Sequence, residues 1–166
     1  QRQSAYRTLA RALGATTIKE DHTMDALPTG KVVWLLGWEN RFLPTMATLL
    51  KAHGASLTDN LVTIGAQVLS PQTHCAMSVA RHKTTAKPLA FIGCDSPMLS
   101  ASLGSRLLHY GKYSYLGFDV DTGRNVTKGN WTVSGSLLNL SLVQGIDLPV
   151  LDVPTPTPLS AYSISH

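Results

Sequence analysis

Two stretches of the chain carry residues that could do chemistry. The first is Cys94, at the end of the apolar run Pro88-Leu-Ala-Phe-Ile-Gly-Cys94 and followed by Asp95-Ser96-Pro97. A strand that runs into a tight turn and a helix start can present a thiol as a nucleophile. The helix dipole lowers that thiol's pKa, and His74 or His109 is the candidate base. Against this, Gly-Cys-Asp-Ser lacks the second glycine of a nucleophile elbow, and Asp95 beside the sulfur opposes its ionisation. A buried strand-end cysteine ahead of a helix cap explains the same residues.

The second stretch is His109-Tyr110-Gly111-Lys112-Tyr113, with Trp131 further on in Asn125-Val-Thr-Lys-Gly-Asn-Trp131. These residues could bind an anion or a partner loop. Tyrosines filling a half-buried rim, with their hydroxyls bonded to backbone, would give the same composition. The candidate binding set is therefore His109, Tyr110, Lys112, Tyr113 and Trp131. The six histidines are scattered, with no pair at i+3 or i+4 and no Glu-x-x-His after any of them, so no metal ligand is assigned.

Composition bounds the rest. The 166 residues, 43% hydrophobic and 14% charged, suit one globular domain with a real core. The net charge of +4 is spread along the chain without a basic run, which argues against a nucleic-acid partner. No continuous apolar stretch has the length of a membrane span. Cys75 and Cys94 fall in neighbouring predicted strands. Two buried free thiols is the reading preferred here over a disulfide.

The elements that must position these residues follow from periodicity. Tyr6, Leu9, Ala10 and Leu13 recur at helical spacing and Gly14 stops the helix. Residues 15–30 read as a loop. Lys31 to Trp38 is nearly all apolar, the pattern of a strand central in a helix-flanked sheet. Asn40 caps a helix that ends at Gly54. Leu61–Leu69 and Cys75–His82 alternate and are joined by a short turn, which predicts a hairpin. Pro88–Cys94 is a further strand. Pro97 opens a helix whose leucines at 99, 103 and 107 lead to Gly111, expected in the left-handed cap. Tyr113–Phe118 is the last clear strand, Asn125–Val133 a compact loop, and Leu137–Val143 a short edge strand. The expected fold class is α/β: a mixed, mostly buried sheet of five to six strands with helices on both faces, a three-layer sandwich of Rossmann or flavodoxin type. The expected division is an N-terminal helix and linker over 1–30, the α/β domain over 31–145, and a proline-rich extended tail over 146–166.

Four stretches also carry a family resemblance. They are Val33-Trp-Leu-Leu-Gly-Trp-Glu-Asn40, Ser78-Val-Ala-Arg-His82, Leu107-Leu-His-Tyr-Gly-Lys-Tyr-Ser-Tyr-Leu116 and Asn125-Val-Thr-Lys-Gly-Asn-Trp131. In order and spacing they resemble the C-terminal region of bacterial gluzincin zinc aminopeptidases of the membrane alanyl aminopeptidase type. The resemblance spans residues 30–138, and Thr132 stands where proline is expected. Such peptidases hold zinc through His-Glu-x-x-His, which this chain lacks, so no catalytic or metal residue is carried over. The resemblance implies a non-catalytic accessory domain, no cofactor in this segment with zinc in the parent peptidase, the parent's catalytic domain as partner, and a periplasmic or cell-envelope setting. Two other functions stay open from the residues themselves. One is a small cysteine hydrolase or amidotransferase-like enzyme on Cys94. The other is a binding module using the rim from Tyr110 to Tyr115.

Overall fold

The computed structural model describes residues 2–58, 60–81 and 87–132. The expected edge strand at 137–143, the proline-rich tail and His82 lie outside them. Helix α1 (Arg2–Ala12) opens the chain, and strand β1 (Val33–Leu36) and helix α2 (Leu43–Lys51) follow the loop. Three short strands come next, β2 (Ala55–Leu57), β3 (Val62–Ile64) and β4 (Gln67–Leu69). Then come β5 (His74–Arg81), β6 (Pro88–Gly93), helix α3 (Pro97–Leu107), a 3-10 turn at Leu108–Tyr110, β7 (Tyr115–Asp119) and β8 (Asn125–Gly129).

Among the described residues the main sheet has five strands in the order β1-β6-β5-β7-β8. There β1 and β6 run parallel, and the β5–β6, β5–β7 and β7–β8 pairs are antiparallel. A second sheet of three antiparallel strands has the order β2-β3-β4. The fold is thus α/β with a mixed sheet covered on both faces. On one face Leu9 of α1 and Leu103 and Leu107 of α3 pack with Cys75, Ile92, Leu116 and Phe118. On the other face Leu43, Met46 and Leu50 of α2, with Leu57, Val62 and Leu69 of the small sheet, pack on Leu35, Ala76, Ala80 and Phe91. Strand alternation produces this division: Cys75 and Met77 of β5 face α1 and α3, and Ala76 and Ala80 face α2.

Several expectations are corrected. Among the described residues β1 lies at an edge of the sheet, so its apolar run does not mark a central strand. Its residues are apolar because both of its faces are covered, with Leu35 on the α2 side and Trp34 and Leu36 on the α1 side. Residues 61–69 are not one strand paired with β5. Gly65, at φ 58°, turns the chain back so that Val62 pairs with Leu69. Asn125–Gly129 is a strand, not a loop, and Gly111 keeps a right-handed φ of −58°. Asn40 does organise the start of α2, but one turn early: its Oδ1 accepts from the Phe42 amide at 3.0 Å and the helix begins at Leu43, with Pro44 in its first turn.

Cys75 and Cys94 form a disulfide, with Cα atoms 4.2 Å apart, so the expectation of two free thiols is overturned. The pairing of Ala76 with Gly93 makes the two cysteines cross-strand neighbours, pointing to the α1/α3 side of the sheet. Adjacent antiparallel positions bring Cβ atoms to the spacing a disulfide needs. Above them Tyr6 of α1 closes the core. Its hydroxyl donates to the Cys94 carbonyl and accepts from the Cys94 amide, both at 2.8 Å. Burial pushes the Tyr6 phenol up to about 12, against the opposing pull of its bond to the Cys94 backbone.

Candidate functional site

The residues that end α3 and begin β7 are folded against β8. Arg106 is in the last turn of α3, His109 and Tyr110 are in the 3-10 turn, and Lys112 and Tyr113 are in the connection to β7. Lys128 arrives from β8 because it pairs with Leu116, which directs it to the same side of the sheet as Leu116 and Phe118. Together these six line an open hollow of about 470 Å³. Three of the six are permanent cations and none is acidic.

Aromatic and cationic groups hold one another in place. The Tyr110 and Tyr113 rings lie 6.1 Å apart at 44°, and Tyr110 meets Phe118 edge-on at 5.4 Å. The Lys112 and Lys128 ammonium groups stand 5.4 and 5.5 Å from the Tyr113 ring centre, and Lys128 is also 6.0 Å from that of Tyr110. Such contacts contribute about 0.5–1 kcal/mol each at exposed sites. Arg106 packs over Phe118 at 5.9 Å and donates from Nη1 to the Gly123 carbonyl at 2.6 Å. That carbonyl is fixed in the β7–β8 turn, where the Asp119 carboxylate accepts from the Thr122 amide and hydroxyl, both at 2.7 Å. The Thr122 amide and then its hydroxyl hold the Asp119 carboxyl below its ordinary value. One wall of the hollow is therefore tied to the sheet.

Of the candidate binding residues, His109, Tyr110, Lys112 and Tyr113 come together, and Trp131 does not join them. Trp131 packs with the core on the other face of the sheet. Its indole stacks on His53 at 5.0 Å, lies against Tyr115 at 4.8 Å and donates from Nε1 to the Val79 carbonyl at 2.7 Å. Its role there is to seal the edge of that core. Arg106 and Lys128 complete the hollow and were not singled out in the sequence. Arg106 could have been found at i−3 from His109 on a helix; Lys128 could be found only by recognising β8 as a strand.

The alternative catalytic pair is not assembled. The Cys94 sulfur is bonded to Cys75 and only 1% of Cys94 is exposed, so in this state it offers no thiolate for attack. His109 lines the hollow, whereas Cys94 lies in the core beneath α1 and α3. No described helix is long and apolar enough to cross a membrane. No family model, curated protein or solved structure matches this chain.

Proposed function

We propose that the chain is a non-catalytic accessory domain of a bacterial zinc metallopeptidase of the gluzincin aminopeptidase type, acting as a structural and interaction module beside the catalytic domain of the same polypeptide. The observation that carries this reading is where the resembling stretches lie. Leu107–Leu116 and Asn125–Trp131 are separate in sequence, yet they pair as β7 and β8 and build one hollow. A hydrolase centred on Cys94 is not carried forward, because its sulfur is bonded. The chain contains no His-Glu-x-x-His, so the zinc belongs to the parent's catalytic domain and none of the residues here is assigned to it. A disulfide suits the oxidising periplasm or cell envelope in which such a parent would work. With this goes a Rossmann- or flavodoxin-like layering, for which the parallel β1–β6 pair and helices on both faces speak.

The open basic hollow favours a second reading compatible with the first, a ligand- or protein-binding module that uses the Tyr110–Tyr113 part of the expected Tyr110–Tyr115 rim, Tyr115 packing instead against Trp131. The parentage is tested by sequencing the coding region on either side of this segment. An upstream His-Glu-x-x-His in the same reading frame is the expected result. A reading frame that holds no peptidase domain would overturn it.

A further inference from the structure

We propose that the hollow lined by Arg106, His109, Tyr110, Lys112, Tyr113 and Lys128 is a binding site for an acidic peptide segment, one that carries two carboxylates around an apolar side chain. This deepens the interaction-module reading and does not depend on which catalytic domain the chain accompanies.

The cations of the hollow are gathered at one place without an acid among the lining residues, and the described ion pairs lie elsewhere, at Arg2 and Arg7. Like charges held near one another raise the local potential, and an anion relieves it. Two ammonium groups flank the same Tyr113 ring at 5.4 and 5.5 Å, so they are offered at fixed positions instead of on free side chains.

Arginine's planar fork grips carboxylate and phosphate alike, and Arg106 already commits Nη1 to the Gly123 carbonyl. An anion in the hollow is therefore met chiefly by the two lysine ammonium groups, point charges that reach separate oxygens, as the two carboxylates of an acidic peptide present them. The rings argue against nucleic acid. Single-stranded binders expose aromatic faces for base stacking. Here Tyr113 carries Lys112 and Lys128, and Tyr110 carries Lys128 and meets Phe118 edge-on. Among the described lining residues the permanent cations are Arg106, Lys112 and Lys128, a compact set and not a stripe along which a phosphate backbone would run. Leu108, the chain neighbour of the lining residue His109, is 76% exposed and could meet an apolar side chain of the ligand.

The test titrates the 166-residue chain with the capped tripeptide acetyl-Glu-Leu-Glu-amide, following backbone amide NMR shifts. Shifts confined to residues 106–113 and Lys128, and weakened by added salt, are expected. The double variant Lys112→Gln/Lys128→Gln should weaken binding by roughly fivefold or more. Lys51→Gln, on α2, should leave it unchanged. A dispersed amide spectrum of each variant shows that it is folded. Equal binding of acetyl-Gln-Leu-Gln-amide would overturn the proposal. So would no saturable binding, shifts centred elsewhere, or tighter binding of inorganic phosphate or oligothymidylate. A reading frame without a peptidase would overturn the parentage and leave this result untouched.

Discussion

The Tyr6 phenol and the Cys94 backbone are joined by two hydrogen bonds of 2.8 Å across 88 positions of sequence. One hydroxyl satisfies both the amide and the carbonyl of Cys94, the residue that follows β6. Helix α1 is fixed there by a polar contact and beside it by Leu9, which is fully buried against α3 and the disulfide. The helix is therefore part of the fold that carries the hollow.

Tyr6→Phe should destabilise the protein by about 2 kcal/mol, since it leaves a buried amide and carbonyl without their partner. The loss is read as a lower midpoint in urea unfolding. An unchanged midpoint would mean that water satisfies Cys94 equally well.

The same phenol sets an alkaline limit. Its value in the folded chain, about 12, is raised above the ordinary 10.0. The stabilisation is therefore complete below pH 10 and is lost as pH rises through 12. Tyrosinate absorbance should show a component near pH 12 that is missing in Tyr6→Phe, and stability measured between these pH values should fall more steeply for the natural chain than for the variant.

Breaking the disulfide should cost about 3 kcal/mol, the loop-closure contribution for cysteines 19 residues apart. Thiol titration of the unfolded, unreduced chain should find no free thiol. Cys75→Ala/Cys94→Ala should melt at a lower temperature and keep the dispersed spectrum of β5–β7. Two reactive thiols in the untreated protein would show that the bridge does not form.

Gly93→Ala should destabilise by about 1–3 kcal/mol through overpacking. A Cβ at Gly93 would overlap the Trp38 indole and the Phe91 ring, which meet edge-on at 5.3 Å. The expected signature is a lower midpoint together with altered tryptophan fluorescence. Both being unchanged would mean that the indole moves aside freely.

Trp131→Phe should cost about 1 kcal/mol, because the Val79 carbonyl loses the indole N–H. It should leave the tripeptide titration at the hollow unaltered, since Trp131 lies on the opposite face of the sheet. A change in that titration would restore Trp131 to the binding set.

Much of this architecture was legible in the sequence, and the failures have physical causes. Helical spacing found α1, and apolar runs found β1 and β6, because burial of a face leaves a period in the chain. The same run misplaced β1 at the centre of the sheet, since side chains record what covers a strand's faces and not whether a neighbour pairs with its edge. The reversal at Gly65 did not show in the alternation of residues 61–69, because one glycine serves a bulge and a reversal equally well. Strand β8 was hidden by Asn125, Lys128 and Gly129, residues that usually mark turns; its Asn125 amide instead donates to the Gly117 and Thr127 carbonyls. With β8 unseen, Lys128 could not be placed beside Tyr113. Trp131 was grouped with the tyrosines by residue type alone, and the pleat sent it to the other face.

The clasp between Tyr6 and Cys94 also orders events during synthesis. Of the elements described, α1 leaves the ribosome first, yet its partners are Cys94 and helix α3. At about 5–20 residues per second, the 88 intervening positions take about 4–18 s to emerge. Throughout that interval the stripe of Tyr6, Leu9 and Ala10 has no native surface to cover. A chaperone that holds apolar helices on nascent chains would meet α1 before any of these partners has emerged, and would have to release it only after residue 107 has cleared the exit tunnel.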